Sequence, residues 1–505
     1  MQLRAENTLT KQNKAIENIS SLASIELVEH IKNDTFNSKW FAQELAKTES
    51  EKDDDEFRSI VLNILKRTLF LVKDMLEENL HKTNDGATYV GTYAVIMDKF
   101  ISTIHNIVEE RFGDKKYEKT VGLSILAVGG YGRGELAPHS DIDVLFLYQE
   151  EKLSKYQASI EYILYLLWDL GLKVGHATRT INQCLISAGN DITIMTSLLE
   201  IRLVNGDEQF FDNFKTRLRL WLSGQSVSNF VSEKLRERDA RHKQHGATRY
   251  MVEPQIKEGK GGLRDLHTLF WIAKFAYKVN SVEEIIQRGV LRVSEAKSFA
   301  SSQRFLWTVR CFLHLRSRRE DDRLTFDAQI DIAPMMGFSG RAGMRGVERF
   351  MKRYFLAARQ VGTLTRIFCA AIESDFENKG IFGLGRILNF GSFYNQSKFA
   401  PFEISKNRLS LPHSVRFRQQ PDLLMKLFHY AQFLKSDIHP ETFRRMTRAI
   451  KSCSVVQLHT EENKRLFLEI LTARNSSGRV LRLMSDTGYL GKFLPEFGHV
   501  VGMMQ

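Results

Sequence analysis

The stretch from Ser124 to Tyr148, SILAVGGYGRGELAPHSDIDVLFLY, places the strongest constraint on what this chain can fold into. It predicts an apolar strand over Ile125 to Val128 and a second apolar strand over Val144 to Leu147. A glycine-rich turn with a short polar helix is predicted between the two strands. The fold is therefore expected to contain a β-sheet at this point of the chain.

Two aspartates, Asp141 and Asp143, stand directly before the second predicted strand. Residues i and i+2 of an extended segment point to the same face, so both carboxylates can share a divalent cation or bridge two of them. Gly129 and Gly130 allow a tight turn and a close approach to a ligand, and the helix start that follows offers N–H groups to an anion. A metal site facing a phosphate-binding turn is the equipment that nucleotidyl transfer needs.

In nucleotidyl transfer, negative charge builds on the α-phosphoryl group and on the leaving pyrophosphate, so catalysis is mostly electrostatic. We expect Asp141 and Asp143 to hold Mg²⁺, which would bridge the phosphates and lower the pKa of an incoming hydroxyl. Ser140 and the N–H groups around Gly130 are candidates to hold the triphosphate, and Arg133 is a candidate to add a cation. Acidic pairs at strand starts are often merely solvated, but the GG ten residues earlier and the flanking apolar strands favour the catalytic interpretation.

Length and composition indicate a large, mainly helical protein. With 505 residues the chain is long enough for three or four domains at about 150 residues each. Hydrophobic residues make up 43% and charged residues 26%, values that argue against wholesale disorder. The 34 phenylalanines and only 8 prolines favour helix.

The order of predicted elements indicates an α+β fold. After the opening stretch, the sequence predicts a helix over Lys155 to Leu170, a strand over Leu172 to Ile181, and a helix from Asp191, its cap, to Gly206. From about Asn229 onward helical patterns dominate. We therefore expect a small mixed sheet followed by helical domains.

The net charge of +12 and the pI of about 9.3 suit an anionic ligand or an acidic protein surface, although the excess can equally be spread over a solvated exterior. One basic loop, KEGKGG at residues 257–262, combines two lysines with three glycines. Such a loop could wrap a phosphate, or it could simply be a turn between helices that Asp265 caps. Nucleic acid is the least favoured partner, because the basic residues lack aromatic interleaving.

The four cysteines, Cys184, Cys311, Cys369 and Cys453, form no spacing typical of a metal site. We interpret them as reduced core thiols of a cytoplasmic protein. The N-terminus has no apolar signal core, and nowhere do about 18 apolar residues run together. No membrane-spanning helix is expected.

The run GGYGRGELAPHSDIDVLFLY resembles the GG, ten residues, DxD pattern of the DNA polymerase β-like nucleotidyltransferase superfamily. The longer match resembles the bacterial PII uridylyltransferases, the GlnD family. Segments that agree include GLKVGHATRT, DITIMTSLLEIRLVNGD, EPQIKEGKGGLRDLHTLFWIAK, RFLWTVRCFLHLRSRREDDRLTFDAQ and VERFMKRYFLAARQV. The resemblance extends from about residue 90 to the end of the chain.

This resemblance implies transfer of UMP from UTP to a tyrosine hydroxyl of the PII signalling protein, with Mg²⁺ and under control by glutamine. Asp141 and Asp143 match the family's metal-binding pair, and Gly129, Gly130 and Ser140 match its nucleotide loop. Many superfamily members carry a third carboxylate on the next strand. The segment LKVGHATRT has no acid and offers His176 instead. Asp191 is then the candidate for the third acid, unless it only caps its helix.

The resemblance also implies a domain plan. We predict an N-terminal helical region over residues 1–85, a polymerase β-like nucleotidyltransferase domain over 86–228, a helical bundle domain over 229–378, and a linker with further helices over 379–505. In the family a metal-dependent HD phosphohydrolase domain and two ACT domains follow. This sequence contains no His-Asp dipeptide, so we expect it to lack uridylyl-removing activity and the glutamine sensor.

Two other functions remain open from the sequence. One is adenylylation of a different protein, since the motif does not specify the base. The other is a catalytically idle module that binds nucleotide to regulate a partner, which the missing acid on the third strand would favour.

Overall fold

The computed structural model describes most of the chain in seven ranges. These are residues 54–112, 121–246, 248–341, 343–377, 396–405, 408–473 and 477–500. The first 53 residues of the predicted N-terminal helical region lie outside these ranges. The chain divides into two compact units, one formed by residues 1–226 with 303–324 and the other by residues 227–302 with 325–505.

The first unit opens with two long helices and continues with alternating strands and helices. In chain order its elements are α1 (Asp54–Thr83), α2 (Gly86–Phe112), β1 (Leu123–Ala127), α3 (Gly129–Gly132), β2 (Ile142–Tyr148), α4 (Leu153–Asp169), β3 (Val174–Arg179), α5 (Ile181–Asn190), α6 (Ile192–Leu198), β4 (Arg202–Gly206) and α7 (Glu208–Ser223). Both strands of the opening stretch and the helical turn between them form where the sequence predicts them.

The four strands form one mixed sheet in the order β3-β2-β1-β4, as the α+β prediction requires. β1 is antiparallel to both β2 and β4, whereas β2 and β3 are parallel. With these directions, β1 ends at the same edge of the sheet at which β2, β3 and β4 begin. Every loop that leaves or enters this edge can therefore contribute to one site.

The prediction of a single helix from Asp191 to Gly206 is wrong. The helix α6 ends at Leu198, and Arg202–Gly206 is the strand β4. This strand pairs with β1, and Leu203 packs against the core below the sheet. The apolar residues of this segment satisfy a helical spacing in isolation, but the open edge of β1 offers a ladder of backbone hydrogen bonds that only the assembled sheet provides.

One face of the sheet is covered by α5, α6 and α7. Leu126, Leu145 and Leu147 form a buried cluster with side chains of these helices. Because side chains alternate along a strand, Asp143 projects to the same face as Leu145 and Leu147. Asp143 is thus the polar end of an otherwise apolar row.

The second unit is almost entirely helical, as predicted. Its elements are α8 (Val227–Gln244), α9 (Leu263–Tyr277), α10 (Val282–Gln287), α11 (Val293–Ser317), α12 (Phe326–Met335), α13 (Gly346–Glu377), β5 (Glu403–Ser405), β6 (Arg408–Ser410), α14 (Asp422–Phe433), β7 (Asp437–Ile438), α15 (Pro440–Ser452), α16 (Val455–Leu458), α17 (Glu461–Thr472), α18 (Ser477–Thr487), α19 (Tyr489–Phe493) and α20 (Pro495–Val500). The residues of α11 from Gln303 onward, with the segment to Leu324, group with the first unit.

A second core lies among the C-terminal helices of this unit. Leu424, Phe428, Met446, Ile470 and Met484 are fully buried in it. They come from α14, α15, α17 and α18, so these four helices pack their apolar faces into one core.

The four cysteines are free thiols, and three of them are buried while Cys369 is partly exposed. Burial raises the pKa of the Cys184 thiol to about 12, so this group stays protonated near neutral pH. In the described ranges, no helix combines the length and apolar character needed to cross a membrane.

Candidate active site

The two aspartates of the DxD motif lie at the edge of the sheet where β2 begins. Asp143 is the second residue of β2 and is half-buried, whereas Asp141 precedes the strand and is exposed. The carbonyl oxygen of Asp143 accepts a hydrogen bond from the N–H of Val128 at 3.0 Å, and Asp143 pairs with Gly175 of β3. The backbone of Asp143 is therefore held on both sides, and Asp141 stands at the open end.

Two glycines enclose the carboxylate of Asp143. A Cβ added to Gly175 would lie 2.5 Å from Oδ1 of Asp143, and one added to Gly129 would lie 2.9 Å from Oδ2. Gly129 also has a φ of +60°, a conformation that favours glycine. The glycine of the predicted turn and the glycine of the third strand thus leave room for one acid and determine where its oxygens lie.

The neighbouring strand supplies no third acid opposite Asp143. The register places Gly175 at that position, and His176 pairs with Val144 instead. His176 is on the alternate face, exposed, with its ring 5.8 Å from the ring of Trp168. It is therefore not on the face of β3 that adjoins the Asp143 carboxylate.

Asp191 lies at the junction of α5 and α6. Its carboxylate accepts a hydrogen bond from the N–H of Thr193 at 2.6 Å and caps α6, as the sequence predicts. Across the described ranges, no group of three or more Asp, Glu, His and Cys side chains is placed to hold a metal ion. A role for Asp191 as a third acid remains a prediction, and the cap is the role for which the structure provides a contact.

The residues at this edge fit a divalent cation in two respects. Carboxylate oxygens are the hard donors that Mg²⁺ prefers, and it usually binds through one or two carboxylates plus substrate phosphates. The space around the Asp143 oxygens is kept clear by Gly129 and Gly175, where any side chain would block the approach. A pair of acids completed by the ligand's own oxygens is thus compatible with this geometry.

Arg133, a predicted nucleotide ligand, is paired within the protein. Its side chain is only 10% exposed, and its Nε donates to Glu135 at 2.8 Å. The carboxylate of Glu200, itself buried, lies 4.0 Å away, and Gln303 donates to Glu135 at 2.9 Å. To reach a nucleotide, Arg133 would have to exchange a protein carboxylate for a phosphate.

The short helix α3 is held by a cluster of Asp98, Tyr131 and Arg202, which the sequence did not single out. The hydroxyl of Tyr131 donates to Asp98 of α2 at 2.6 Å, and Arg202 of β4 also binds Asp98. Arg202 donates in addition to the carbonyl oxygen of Tyr131 at 3.1 Å, with its guanidinium 5.4 Å from the Tyr131 ring centroid. These contacts fix the glycine-rich turn to a helix and a strand that are distant in sequence.

The loop that carries Ser140 and Asp141 is anchored from behind by the end of α11. The backbone N–H of His139 donates to Nδ1 of His314 at 3.3 Å, and Nε2 of His314 lies 3.2 Å from Asp322. Because a backbone N–H can only donate, Nδ1 is the acceptor and the ring proton is on Nε2. His314 thus helps to hold in place the loop that carries Ser140 and Asp141.

The charges behind this loop are arranged to keep Asp322 ionised. Burial alone would raise the pKa of Asp322, but the hydrogen bond from His314 and the guanidinium of Arg310, whose Nε is 2.6 Å away, together lower it. Burial lowers the pKa of His314, against the effect of its hydrogen bond to Asp322. A neutral His314 is the form that can accept from the His139 N–H.

The remaining predicted nucleotide residues lie in the turns around the two acids. Gly130 is in α3, and its carbonyl oxygen accepts from the N–H of Glu135 at 2.9 Å. The N–H of Ser140 donates to the carbonyl oxygen of Ala137 at 3.0 Å, which closes the turn before Asp141. The structure brings Gly129 and Asp143 into direct proximity, and it places Gly130, Ser140 and Asp141 on the two loops at the same sheet edge.

Comparison with protein families identifies three matching domains. Residues 101–200 match a nucleotidyltransferase domain, residues 229–369 match the GlnD PII-uridylyltransferase family, and residues 402–493 match the third domain of uridylyltransferase GlnD. The first range contains the entire DxD site. The other two ranges fall in the helical part of the chain.

Two curated proteins named bifunctional uridylyltransferase/uridylyl-removing enzyme are similar to this chain. The one from Rhodospirillum rubrum is 40% identical over 456 residues, which cover 90% of this chain and 48% of that protein. The one from Azospirillum brasilense is 45% identical over 383 residues, which cover 76% of this chain and 41% of that protein. The chain thus spans about half the length of the curated relatives it matches.

Proposed function

Because this chain belongs to the GlnD PII-uridylyltransferase family, we propose that it transfers UMP from UTP to a tyrosine hydroxyl of the PII signalling protein in a Mg²⁺-dependent reaction. The observation that carries the proposal is the Asp143 carboxylate enclosed by Gly129 and Gly175 at the sheet edge. The free cysteines fit a reaction in the reducing cytoplasm. Glutamine is the regulator that the family resemblance suggests for the longer relatives.

The chemistry that we assign to the site is mostly positioning. When bound, Mg²⁺ would neutralise phosphate charge and polarise the phosphoryl group. Asp143, held by the sheet ladder, supplies a fixed oxygen ligand, and the exposed Asp141 supplies an adjustable one. Ser140 and the turn at Gly129 and Gly130 form the polar surface that we assign to the triphosphate.

The direct test is labelling of PII with radioactive UTP and Mg²⁺ by the purified chain and by its Asp143→Asn variant. Asn keeps the shape of the side chain and removes the charge, so we expect labelling to fall at least about a hundredfold. Asp212→Asn is the matched control, since Asp212 is an exposed aspartate of the same unit whose only described ion pair is with Lys215. Unchanged labelling by Asp143→Asn would refute the assignment of the metal site.

Two alternative functions are separated by the same assay. Labelling from ATP with none from UTP would identify an adenylyltransferase. Tight nucleotide binding with no transfer to PII from either nucleotide would identify a regulatory module that does not catalyse. The second alternative draws its support from the absence of an acid opposite Asp143, where β3 has Gly175.

A further inference from the structure

The second unit contains a cavity in which six of the eighteen lining residues are lysine or arginine. Its volume is about 440 Å³, within the range of small-molecule sites. The basic side chains that line it come from distant parts of this unit: Arg238, Arg249, Lys260, Arg366, Arg408 and Arg479. All lining residues belong to the second unit, so the cavity does not include the acid pair of the first unit.

The acids of the cavity do not neutralise this charge. Four aspartates line it against six lysines and arginines, so basic side chains exceed acidic ones by two. Asp265, which is 2% exposed, is already bound by Arg241 at 2.6 Å and by His242 at 2.8 Å. Water screens the exposed charges of both signs: Asp239 and Asp437 are 60% and 69% exposed, and Arg366 and Arg479 are 44% and 43% exposed. The excess of basic side chains makes the net charge of the lining positive.

One cation in the wall has an unused hydrogen-bond donor. Arg249 is 10% exposed; its Nη1 is paired with Asp486, while its buried Nε has no hydrogen-bond partner among the described residues. Asp486 is also shared with Arg366 at 3.4 Å. A buried donor without a partner is unfavourable, so the Arg249 guanidinium is only partly satisfied by Asp486.

The wall of the cavity has room for the Arg249 side chain because residue 362 is a glycine. Gly362, in the middle of α13, would place a Cβ 2.2 Å from Cζ of Arg249 and 2.3 Å from its Nε. Glycine inside a helix is less favourable than alanine. Here the missing side chain allows the guanidinium to lie against the helix, at the surface of the cavity.

Lys260 belongs to the KEGKGG loop that precedes α9. The loop is folded tightly, because the N–H of Gly261 donates to Asp265 at 2.8 Å and that of Gly262 to Gly259 at 2.9 Å. Burial lowers the pKa of Lys260, and the nearby Arg249 lowers it further. An anion in the cavity would oppose both effects and favour the charged ammonium.

We propose that this cavity is a binding site for a small phosphate-bearing anion. The excess of two basic over acidic side chains in the lining suits a phosphate group of about −2 better than a single carboxylate. The guanidinium forks suit tetrahedral oxyanions, and Lys260 adds a point charge. Phe443 and Leu483 in the wall would contact any apolar part of such a ligand.

Isothermal titration calorimetry of the purified chain with inorganic pyrophosphate tests the proposal. Excess EDTA is included, so that no metal supports binding at Asp141 and Asp143. We expect saturable one-site binding that survives in Asp143→Asn. Lys260→Gln and Arg408→Gln each remove a lining charge from a different element, and each is expected to weaken binding at least about tenfold, or 1.4 kcal/mol.

The matched control is Arg465→Gln, which removes one charge from an exposed pair with Glu469 in the same unit. It should leave the affinity unchanged. Equal weakening by this control would mean non-specific attraction and would overturn the proposal, as would no binding at millimolar pyrophosphate. Tighter binding of succinate than of pyrophosphate would overturn the ligand class. Circular dichroism verifies the fold of each variant. If Lys260→Gln or Arg408→Gln fails to fold, the other variant still tests the proposal.

Discussion

The acid pair of the first unit and the cationic cavity of the second are opposite in charge and in construction. The site around Asp143 is assembled from Gly129, Asp141 and Gly175, all within one short part of the chain. The cavity is assembled from residues as far apart as Arg238 and Asp486. A site carried by adjacent loops of one sheet can be recognised as a sequence motif, whereas the cavity between helices leaves only one local signal, the KEGKGG loop that carries Lys260.

The two regions nevertheless share one structural device. In each, the lack of a side chain at a glycine lets a charged side chain lie against the backbone. Gly175 has this role beside Asp143, and Gly362 has it beside Arg249. The two charged side chains, Asp143 and Arg249, differ in their surroundings. Arg249 is already paired with Asp486, while the Asp143 carboxylate faces an edge where the second acid, Asp141, is exposed. We therefore expect substitutions at paired charges of the second unit to lower stability, and substitutions around Asp143 in the first unit to lower activity.

The largest effect on stability is expected for Asp265→Asn. Burial alone would raise the pKa of Asp265, but the hydrogen bond from His242, the charge of Arg241 and the Gly261 N–H together lower it. Loss of the charge removes the nearer of two carboxylates that pair with the buried Arg241, the other being Glu258 at 3.5 Å, and should lower the free energy of unfolding by about 3 kcal/mol at pH 7. Urea unfolding followed by circular dichroism measures this difference.

The same variant predicts a pH dependence. Because the folded pKa of Asp265 is below the unfolded value of about 3.9, its stabilisation is complete above that value and is lost as the pH falls through it towards the folded pKa. The difference between wild type and Asp265→Asn should therefore shrink on acidification. Asp239→Asn, at an exposed neighbour, should change stability by less than about 1 kcal/mol. A pH-independent difference would contradict the charge argument.

A somewhat smaller effect, now on activity, is expected for Gly175→Ala. The new Cβ would lie 2.5 Å from Oδ1 of Asp143 and must displace the carboxylate. A displacement of about 1 Å at a reacting centre can cost a factor of about one hundred, so we expect this loss of PII labelling with little change in fold. Labelling of PII over a range of Mg²⁺ concentrations measures it.

Gly91→Ala is the matched control for this variant. Gly91 lies in α2 of the same unit, and a Cβ there would meet nothing within 4 Å. The control should retain full activity and gain a few tenths of a kcal/mol of stability or more. Equal activity of the two alanine variants would show that the position of the Asp143 carboxylate does not matter.

The smallest effect is expected for Asp191→Ala. The variant removes the hydrogen bond to the Thr193 N–H at the start of α6, which should cost about 1 kcal/mol of stability. PII labelling should persist if Asp191 only caps the helix. A loss of labelling as large as that of Asp143→Asn, with Asp191→Asn equally inactive despite its ability to cap, would instead identify Asp191 as the third acid.

The sequence predicted most helices and the motif strands correctly, because these depend on local periodicity. The helix predicted over Lys155 to Leu170 is observed as Leu153–Asp169, and the strand predicted over Leu172 to Ile181 is observed as Val174–Arg179. The strand β4 was missed, since its partner β1 lies some eighty residues earlier and the ladder between them has no local signal. The anchoring residues Asp98, Arg202 and His314 escaped prediction for the same reason.

Local spacing in the sequence was enough to predict the chemistry of the first site: two carboxylates spaced to share a face, a glycine turn before them, and apolar strands on either side. Only the tertiary structure decided which groups surround that chemistry. It put Gly175 where a third acid was sought, paired Arg133 with Glu135, and gathered six cations around one cavity. The physical reason is that spacing along a strand or helix is local, whereas contacts between elements depend on how the whole core packs.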